Sequence, residues 1–345
     1  MIRSVEELLR ILTTGLDRKL FIFNLESLDI FKQLRFEEFI YRNVTPKCTN
    51  TAFLILNHFY NSSTVVFGLS GEVSDFIKDL NYCKLGGIKL IRRFTGGGTV
   101  LIDDNIITSS IIATHSFAPN LNPNNISHWA FKFYQSTNLF TNHFHTVDGD
   151  FSYHNLLNTN STVNSGNSGD TNVDTENPVE WCKVGGNAQA YGKYSFVHHT
   201  SFIWRVSPEI EKILLVPKKA PKYRNNRGHT QFLQSVTKVL KVSDKHQFIQ
   251  LLIQSLSSLY STTLILYRGL DSVNVKSNVR HLDEEVINNC INNFKSHTNY
   301  IHFYSYPFLH TIYSILHTFY TFLHTFTHFL HTIYSILHIK LLGVW

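Results

Sequence analysis

Arg92-Arg93-Phe94-Thr95-Gly96-Gly97-Gly98-Thr99-Val100-Leu101-Ile102-Asp103 is the stretch on which the reading of this chain turns. An apolar run, Ile88 to Phe94, ends around two arginines and feeds three successive glycines. A second run, Thr99 to Ile102, follows at once. Asp103-Asp104-Asn105 then turns the chain into Ile106 to Thr114. Short β-rich runs with glycine and Asp/Asn connections predict a sheet with tight turns. Three glycines let the backbone approach a ligand and aim N–H groups at an anion. Arg92 and Arg93 add forked donors suited to phosphate or carboxylate. No Lys-Ser/Thr follows the glycines and the GxGxxG spacing is missing, so neither a Walker A loop nor a dinucleotide turn is supported. Alone, the stretch is better explained by a plain glycine-rich hairpin with two surface arginines.

Two more segments sharpen it. Lys183-Val184-Gly185-Gly186-Asn187-Ala188-Gln189-Ala190 sets a lysine beside a second glycine turn. A lysine there acts as a point charge on carboxylate and phosphate together. In His198-His199-Thr200-Ser201-Phe202-Ile203-Trp204, strand alternation puts the two histidines on opposite faces, which argues against a shared metal. Thr200 remains as a ligand contact.

Outward from these, Asn24 to Arg42 reads as an amphipathic helix capped by Asn24. Phe53 to Leu56 and Thr64 to Phe67 read as adjacent strands, and Ser127 to Phe144 as a helix. Phe196 to Val206 is β-like. Thr230 to Leu240 and Ser243 to Tyr260 read as helices. The expected fold class is α/β, a mixed and largely antiparallel sheet flanked by helices. With 43% hydrophobic residues, 345 residues bury a sizeable core. A net charge of +6 without a Lys/Arg block does not indicate a nucleic-acid scaffold. Cys48, Cys83, Cys182 and Cys290 form no CxxC pair, which removes a four-cysteine zinc site and leaves reduced thiols as the expectation.

The three segments, in this order, resemble the lipoate–protein ligase A family, with its RRxxGGGxVxxD loop, a lysine in KxxGxA(Q), and an HHxT strand. Val65-Val66-Phe67-Gly68 upstream and the loop Pro217 to Arg224 downstream extend the likeness over roughly Leu20 to Leu240. The resemblance implies a catalytic domain related to biotin ligases and class II synthetases. It implies ATP and Mg²⁺ as cofactors and lipoate or octanoate as acyl substrate. The acceptor is a lysine of a lipoyl domain, in 2-oxoacid dehydrogenase E2 subunits or the glycine-cleavage H protein. It casts Lys183 as the catalytic lysine, and Arg92, Arg93, Gly96, Gly97, Gly98, Asp150, Ala188 and Thr200 as ligand-binding positions. Where many members carry Arg in a GRxQN-like segment this chain reads Gly68-Leu69-Ser70-Gly71-Glu72, and Ile102 stands where many have His. A transferase using a preactivated acyl donor, and a catalytically silent acyl-binding module, are the competing readings. The expected protein is a monomer with no nucleic-acid or membrane partner, located in mitochondria where acceptors usually reside, with cytoplasm or plastid as alternatives.

The expected organisation is an N-terminal extension (1–19), a catalytic domain (20–240) with a polar insertion at 155–178, a short helical extension (241–300) and a repeat tail (301–345). In the tail a Leu-His pair recurs every seven residues from Leu309-His310 to Leu337-His338, and it holds 7 of the 19 histidines. With Lys340 as its one charge, it reads as low complexity rather than a coiled coil or metal array.

Overall fold

The computed structural model describes residues 1–15, 17–60, 63–155, 180–267 and 278–302. Nearly all of the polar insertion and of the repeat tail lies outside these. The chain divides into two units, Met1–Tyr300 and Ile301–Trp345.

The strands of the first unit are β1 (Lys19–Asn24), β2 (Thr51–His58), β3 (Thr64–Phe67), β4 (Lys89–Arg92), β5 (Val100–Ile102), β6 (Ile106–Thr114), β7 (Phe144–Val147), β8 (Asp150–Asn155), β9 (Glu180–Tyr191), β10 (Ser195–Ile203), β11 (Ser261–Leu266), β12 (Asn278–His281) and β13 (Asn299–Tyr300). Its helices are α1 (Val5–Thr13), α2 (Ile30–Phe39), α3 (Val73–Phe76), α4 (Leu80–Leu85), α5 (Ile126–Gln135), α6 (Ile210–Ile213), α7 (His229–Phe232), α8 (Lys245–Leu259) and α9 (Glu284–Asn292).

Among the described residues, a nine-stranded sheet runs β12-β11-β1-β2-β6-β10-β9-β8-β7. It is parallel from β12 to β2 and antiparallel from β2 to β7, as the expected mixed class requires. β2 and β6 lie at its centre and are buried on both faces, which is why they read as near-continuous apolar runs. On one face α5 and α8 bring Phe133, Tyr134, Phe248 and Leu252 against Phe151 and Phe202. On the other, α1, α2 and α9 bring Leu8, Phe36 and Ile287 against Phe23 and Phe53. Each such buried Leu or Phe stabilises by about 1.5–3 kcal/mol relative to exposure. A second sheet, β13-β4-β3-β5, lies over Leu34 and Ile203 through Val66, Ile91 and Ile102.

Several expectations are corrected. β2 and β3 are not neighbours: β3 pairs with β4 and β5, the strands flanking the glycine turn, while β2 lies between β1 and β6. The first helix starts at Ile30 because Asn24 is claimed by pairing with Leu56, and Asp29 caps it instead by accepting from Phe31 N. α8 is capped by Asp244, not Ser243. The helix expected over 127–144 stops at Gln135, and 230–240 holds only the one-turn α7 and a 3-10 turn. Residues 241–300, expected as a helical extension, instead supply β11 and β12 to the large sheet and β13 to the small one. Residues 1–19 are not an appendage either: Leu8 and Leu12 of α1 are buried in the core with α9.

Candidate functional site

The glycine stretch links β4 to β5, and its conformation is set from inside. Arg93 is 4% exposed. Its Nε donates to Thr95 Oγ1 (2.9 Å), and its Nη2 to the carbonyls of Gly96 (2.7 Å) and Gly98 (2.8 Å). Nη1 reaches Val66 O at 3.4 Å. Burial lowers its pKa to about 10, which leaves it charged at neutral pH. Gly97 has φ +92°, and a Cβ there would stand 2.9 Å from Arg93 Nη2 and 3.1 Å from Ala188 Cβ. From the opposite side, a Cβ on Gly68 would lie 2.0 Å from Gly97 O. Glycine is therefore obligatory at Gly68 and Gly97 for steric reasons, before any ligand is considered. Arg92 turns elsewhere, donating to the carbonyls of Leu69 and Gly71, and so braces the segment after β3.

The second glycine pair is not the turn expected from the sequence: Gly185 and Gly186 lie inside the continuous strand β9, opposite Phe202 and Ser201 of β10. Lys183 projects from β9 and its Nζ lies 2.9 Å from Asp150 Oδ1 on β8. A register irregularity at Phe151/Ser152 falls between the two strands here. The Tyr223 hydroxyl donates to Asp150 Oδ2 at 3.0 Å. Burial first, then the Asp150 charge, push the Tyr223 phenol well up, so it remains a neutral donor. A Cβ on Gly186 would approach Lys183 Cε to 3.1 Å and Nζ to 3.2 Å, so this glycine clears space for the lysine chain. Thr200 Oγ1 donates to Asn187 Oδ1 (3.0 Å), and Asn187 Nδ2 to Gly149 O (2.8 Å). That bridge ties β10 to the β7–β8 turn carrying Asp148 and Asp150.

The glycine turn and the glycine pair of β9 face one cavity of about 720 Å³ between the small sheet and the large one. Arg93, Gly97, Gly98, Asp150, Lys183, Ala188 and Thr200 all line it; Arg92 and Gly96 do not. Ile30, Leu34, Val66, Ile102, Ile106 and Ile203 form a contiguous apolar stretch of its wall. The wall thus offers an apolar channel together with a cation and acids, as an amphipathic ligand with an anionic end requires.

Sequence reasoning missed three contributors. Asn187 sat inside a quoted motif without a role. Tyr223 lay in the loop that brings it onto Asp150. The third is a buried polar chain beneath the glycine turn. His199 Nε2 is 2.8 Å from Glu37 Oε2, its Nδ1 is 3.2 Å from Thr95 Oγ1, and Gln33 donates to Glu37 at 2.7 Å. Gln33 and Glu37 sit one turn apart on the buried face of α2, and a polar pair at that spacing was the available signal. His198 points to the other face, its ring 6.0 Å from that of Phe151. Burial, then His199, lower its pKa to about 3. Cys182 is 2% exposed, has its thiol raised by burial, and lies off the cavity wall.

The family model described as the lipoyl protein ligase A/B catalytic domain matches residues 29–257. A Plasmodium falciparum protein (isolate 3D7) named inactive lipoate–protein ligase 2 is 30% identical, over 78% of this chain and 77% of its own. The bipartite lipoate protein ligase of Thermoplasma acidophilum, described with its E2 lipoyl domain, superposes with a TM-score of 0.51 at 16% identity, covering 81% of this chain and 93% of its own. P. falciparum LipL1 in complex with lipoate superposes with a TM-score of 0.50 at 17% identity, covering 80% and 68%. At these identities the two structures establish a shared fold.

Proposed function

The chain belongs to the lipoyl protein ligase A/B catalytic-domain family, and on that premise we propose that it activates lipoate, or octanoate, with ATP and passes the acyl group to a lysine of a lipoyl domain. The observation that carries this reading is the placement of Lys183, paired with Asp150, on a cavity whose wall is also a continuous apolar stretch. The hydrocarbon of the acid lies along that stretch. A carboxylate oxygen attacks the α-phosphorus of ATP, a C–O–P anhydride forms, and pyrophosphate leaves. Lys183 balances charge on the carboxylate and α-phosphate as it shifts between them. The acceptor amine then attacks the acyl carbon, the C–O bond breaks, and AMP departs with the electron pair. The glycine turn, with Gly97 and Gly98 on the wall, lets a nucleotide phosphate approach the backbone closely. Asp148 lines the same cavity and would offer Mg²⁺ a hard oxygen donor; both Asp150 oxygens already face Lys183 and Tyr223, so Asp150 would join only by releasing one of them. Mg²⁺, when bound, supplies charge neutralisation on the phosphates.

A second reading rests on Arg93. Most of its donors are committed to carbonyls and a hydroxyl of its own loop and neighbouring strand, so a clamp on departing pyrophosphate would have to come from other cations of the wall, Lys218 and Lys219 among them. Transfer from lipoyl-adenylate supplied ready-made needs Lys183 but not that clamp. The relative named inactive lipoate–protein ligase 2 makes the distinction worth testing.

The test incubates purified protein with lipoate, labelled ATP and a lipoyl domain, with Lys183→Ala as control. Lipoylation from ATP supports the ligase. Product from synthetic lipoyl-adenylate alone assigns the transferase. No product from either, with lipoate still bound, overturns both in favour of a silent acyl-binding module. The same reading carries a mitochondrial setting, checked by fractionation of a tagged chain, and a monomer, checked by size-exclusion with light scattering.

A further inference from the structure

We propose that Glu26, His58 and His246 form a binding site for a divalent cation of the zinc class, outside the acyl cavity. His58 ends β2 and is 1% exposed; Glu26 follows β1; His246 lies in the first turn of α8. Their donor atoms all lie within 4.8 Å of one another. His58 Nε2 is 3.6 Å from Glu26 Oε1. Tetrahedral zinc with bonds near 2.0–2.1 Å separates its donors by about 3.4 Å, so this pair already stands at coordination spacing.

The two imidazoles are aimed at one point. His58 Nε2 lies 2.8 Å from the Tyr60 hydroxyl, and His246 Nε2 lies 3.2 Å from the same oxygen. The rings meet edge to face with centroids 5.0 Å apart. Two ring nitrogens converge on one oxygen, one accepting from the hydroxyl and the other donating to it; Tyr60, which is half exposed, can swing aside, and the tautomers that turn both lone pairs to this point then present them to a metal. Glu26 is held in place by main chain: Leu25 N donates to Leu56 O and Ser27 N to His58 O, continuing the β1–β2 ladder through the turn. The Lys245 ammonium, the nearest cation in sequence, donates to Asp104 O, although its charge is still felt at His58. Two imidazoles and a carboxylate form a borderline-soft set that favours Zn²⁺ over Mg²⁺ or Ca²⁺. None of the three residues lines the acyl cavity. The cation would staple the start of α8 to the centre of the large sheet, a structural rather than a catalytic role.

The full-length chain is stripped with a chelator and titrated with ZnCl₂ by calorimetry, with Co²⁺ absorption and thermal unfolding alongside. One equivalent should bind, raise the melting temperature, and give a tetrahedral cobalt spectrum without thiolate charge transfer. His246→Ala and Glu26→Gln should each weaken that equivalent by about tenfold or more, while leaving any zinc bound by the tail histidines unchanged. Tyr60→Phe keeps all three donors and should bind zinc at least as tightly as the parent. Identical isotherms for the parent, His246→Ala and Glu26→Gln would overturn the site, as would a thiolate band. Loss of the equivalent in Tyr60→Phe would overturn the three-donor set.

Discussion

In the turn after β4 the guanidinium of Arg93 faces inward and binds four acceptors of its own surroundings. On the strand β9 the ammonium of Lys183 faces the cavity, with 23% of its side chain exposed and Asp150 beside it. In sequence the two segments look alike, a basic residue next to glycines, but only the first is a turn. In space one cation builds its loop and the other is presented to a ligand. The glycines differ accordingly. Gly97 is demanded by backbone conformation and by Arg93 and Ala188, whereas Gly186 gives room to a side chain. A motif cation is thus a binding cation only when its own loop leaves it donors to offer.

Variants can break this contrast. Arg93→Ala should cost about 4 kcal/mol of stability, because buried carbonyls lose their donor and a void remains. Urea unfolding measures it. Near-native stability with lost activity would show that Arg93 serves the ligand after all. Lys183→Ala should lower acyl transfer by about 10²–10³-fold, roughly 3–4 kcal/mol of transition-state stabilisation, with little change in the urea midpoint. A large drop in that midpoint would move Lys183 into the structural class. Gly97→Ala should destabilise by about 2 kcal/mol through strain at positive φ and the contact with Arg93. Gly186→Ala should instead lower turnover about tenfold with stability nearly kept, since its Cβ displaces a flexible lysine end.

The last contrast concerns pH and is expressed only in acid. His198 is held at about 3 when folded and titrates near its ordinary value of about 6.5 when unfolded. The unfolded state therefore binds the extra proton between these values. Its contribution to stability is complete above about pH 6.5 and falls by up to about 1.4 kcal/mol per pH unit below it. His198→Gln should flatten the stability profile between pH 4 and 6.5, in urea melts at a series of pH values. An unchanged slope would place the acid sensitivity elsewhere.

The cavity was largely legible because its motifs are local. Strand, glycine turn and following strand are contiguous in Arg92–Asp103, and Lys183 with Gly186 and Ala188 lies on one strand. Even Asp150, which the resemblance alone suggested, meets Lys183. What sequence could not show was direction: nothing in Arg92-Arg93 tells which guanidinium turns into the loop and which onto Leu69 and Gly71. Glu37 and His199 are far apart in sequence and meet only through the packing of α2 on the large sheet. The strand β11 was missed for a related reason. Its β-branched run is visible, but its partner is β1, and no local pattern encodes a parallel pairing between opposite ends of a chain.

That pairing bears on how the protein is made. Lys19 pairs with Ser261 and Asn24 with Leu266, so the first strand synthesised is among the last to be covered on one edge. While the nascent chain emerges, β1 can pair with β2, but its other edge stays open until residues 261–266 leave the ribosome. An unpaired, apolar edge is the surface that recruits other chains. Closure over such a separation is also slow. A shortened protein ending near residue 240 would hold every residue that lines the cavity and yet carry that edge permanently, and it should aggregate where the full-length chain stays dispersed, which light scattering would read.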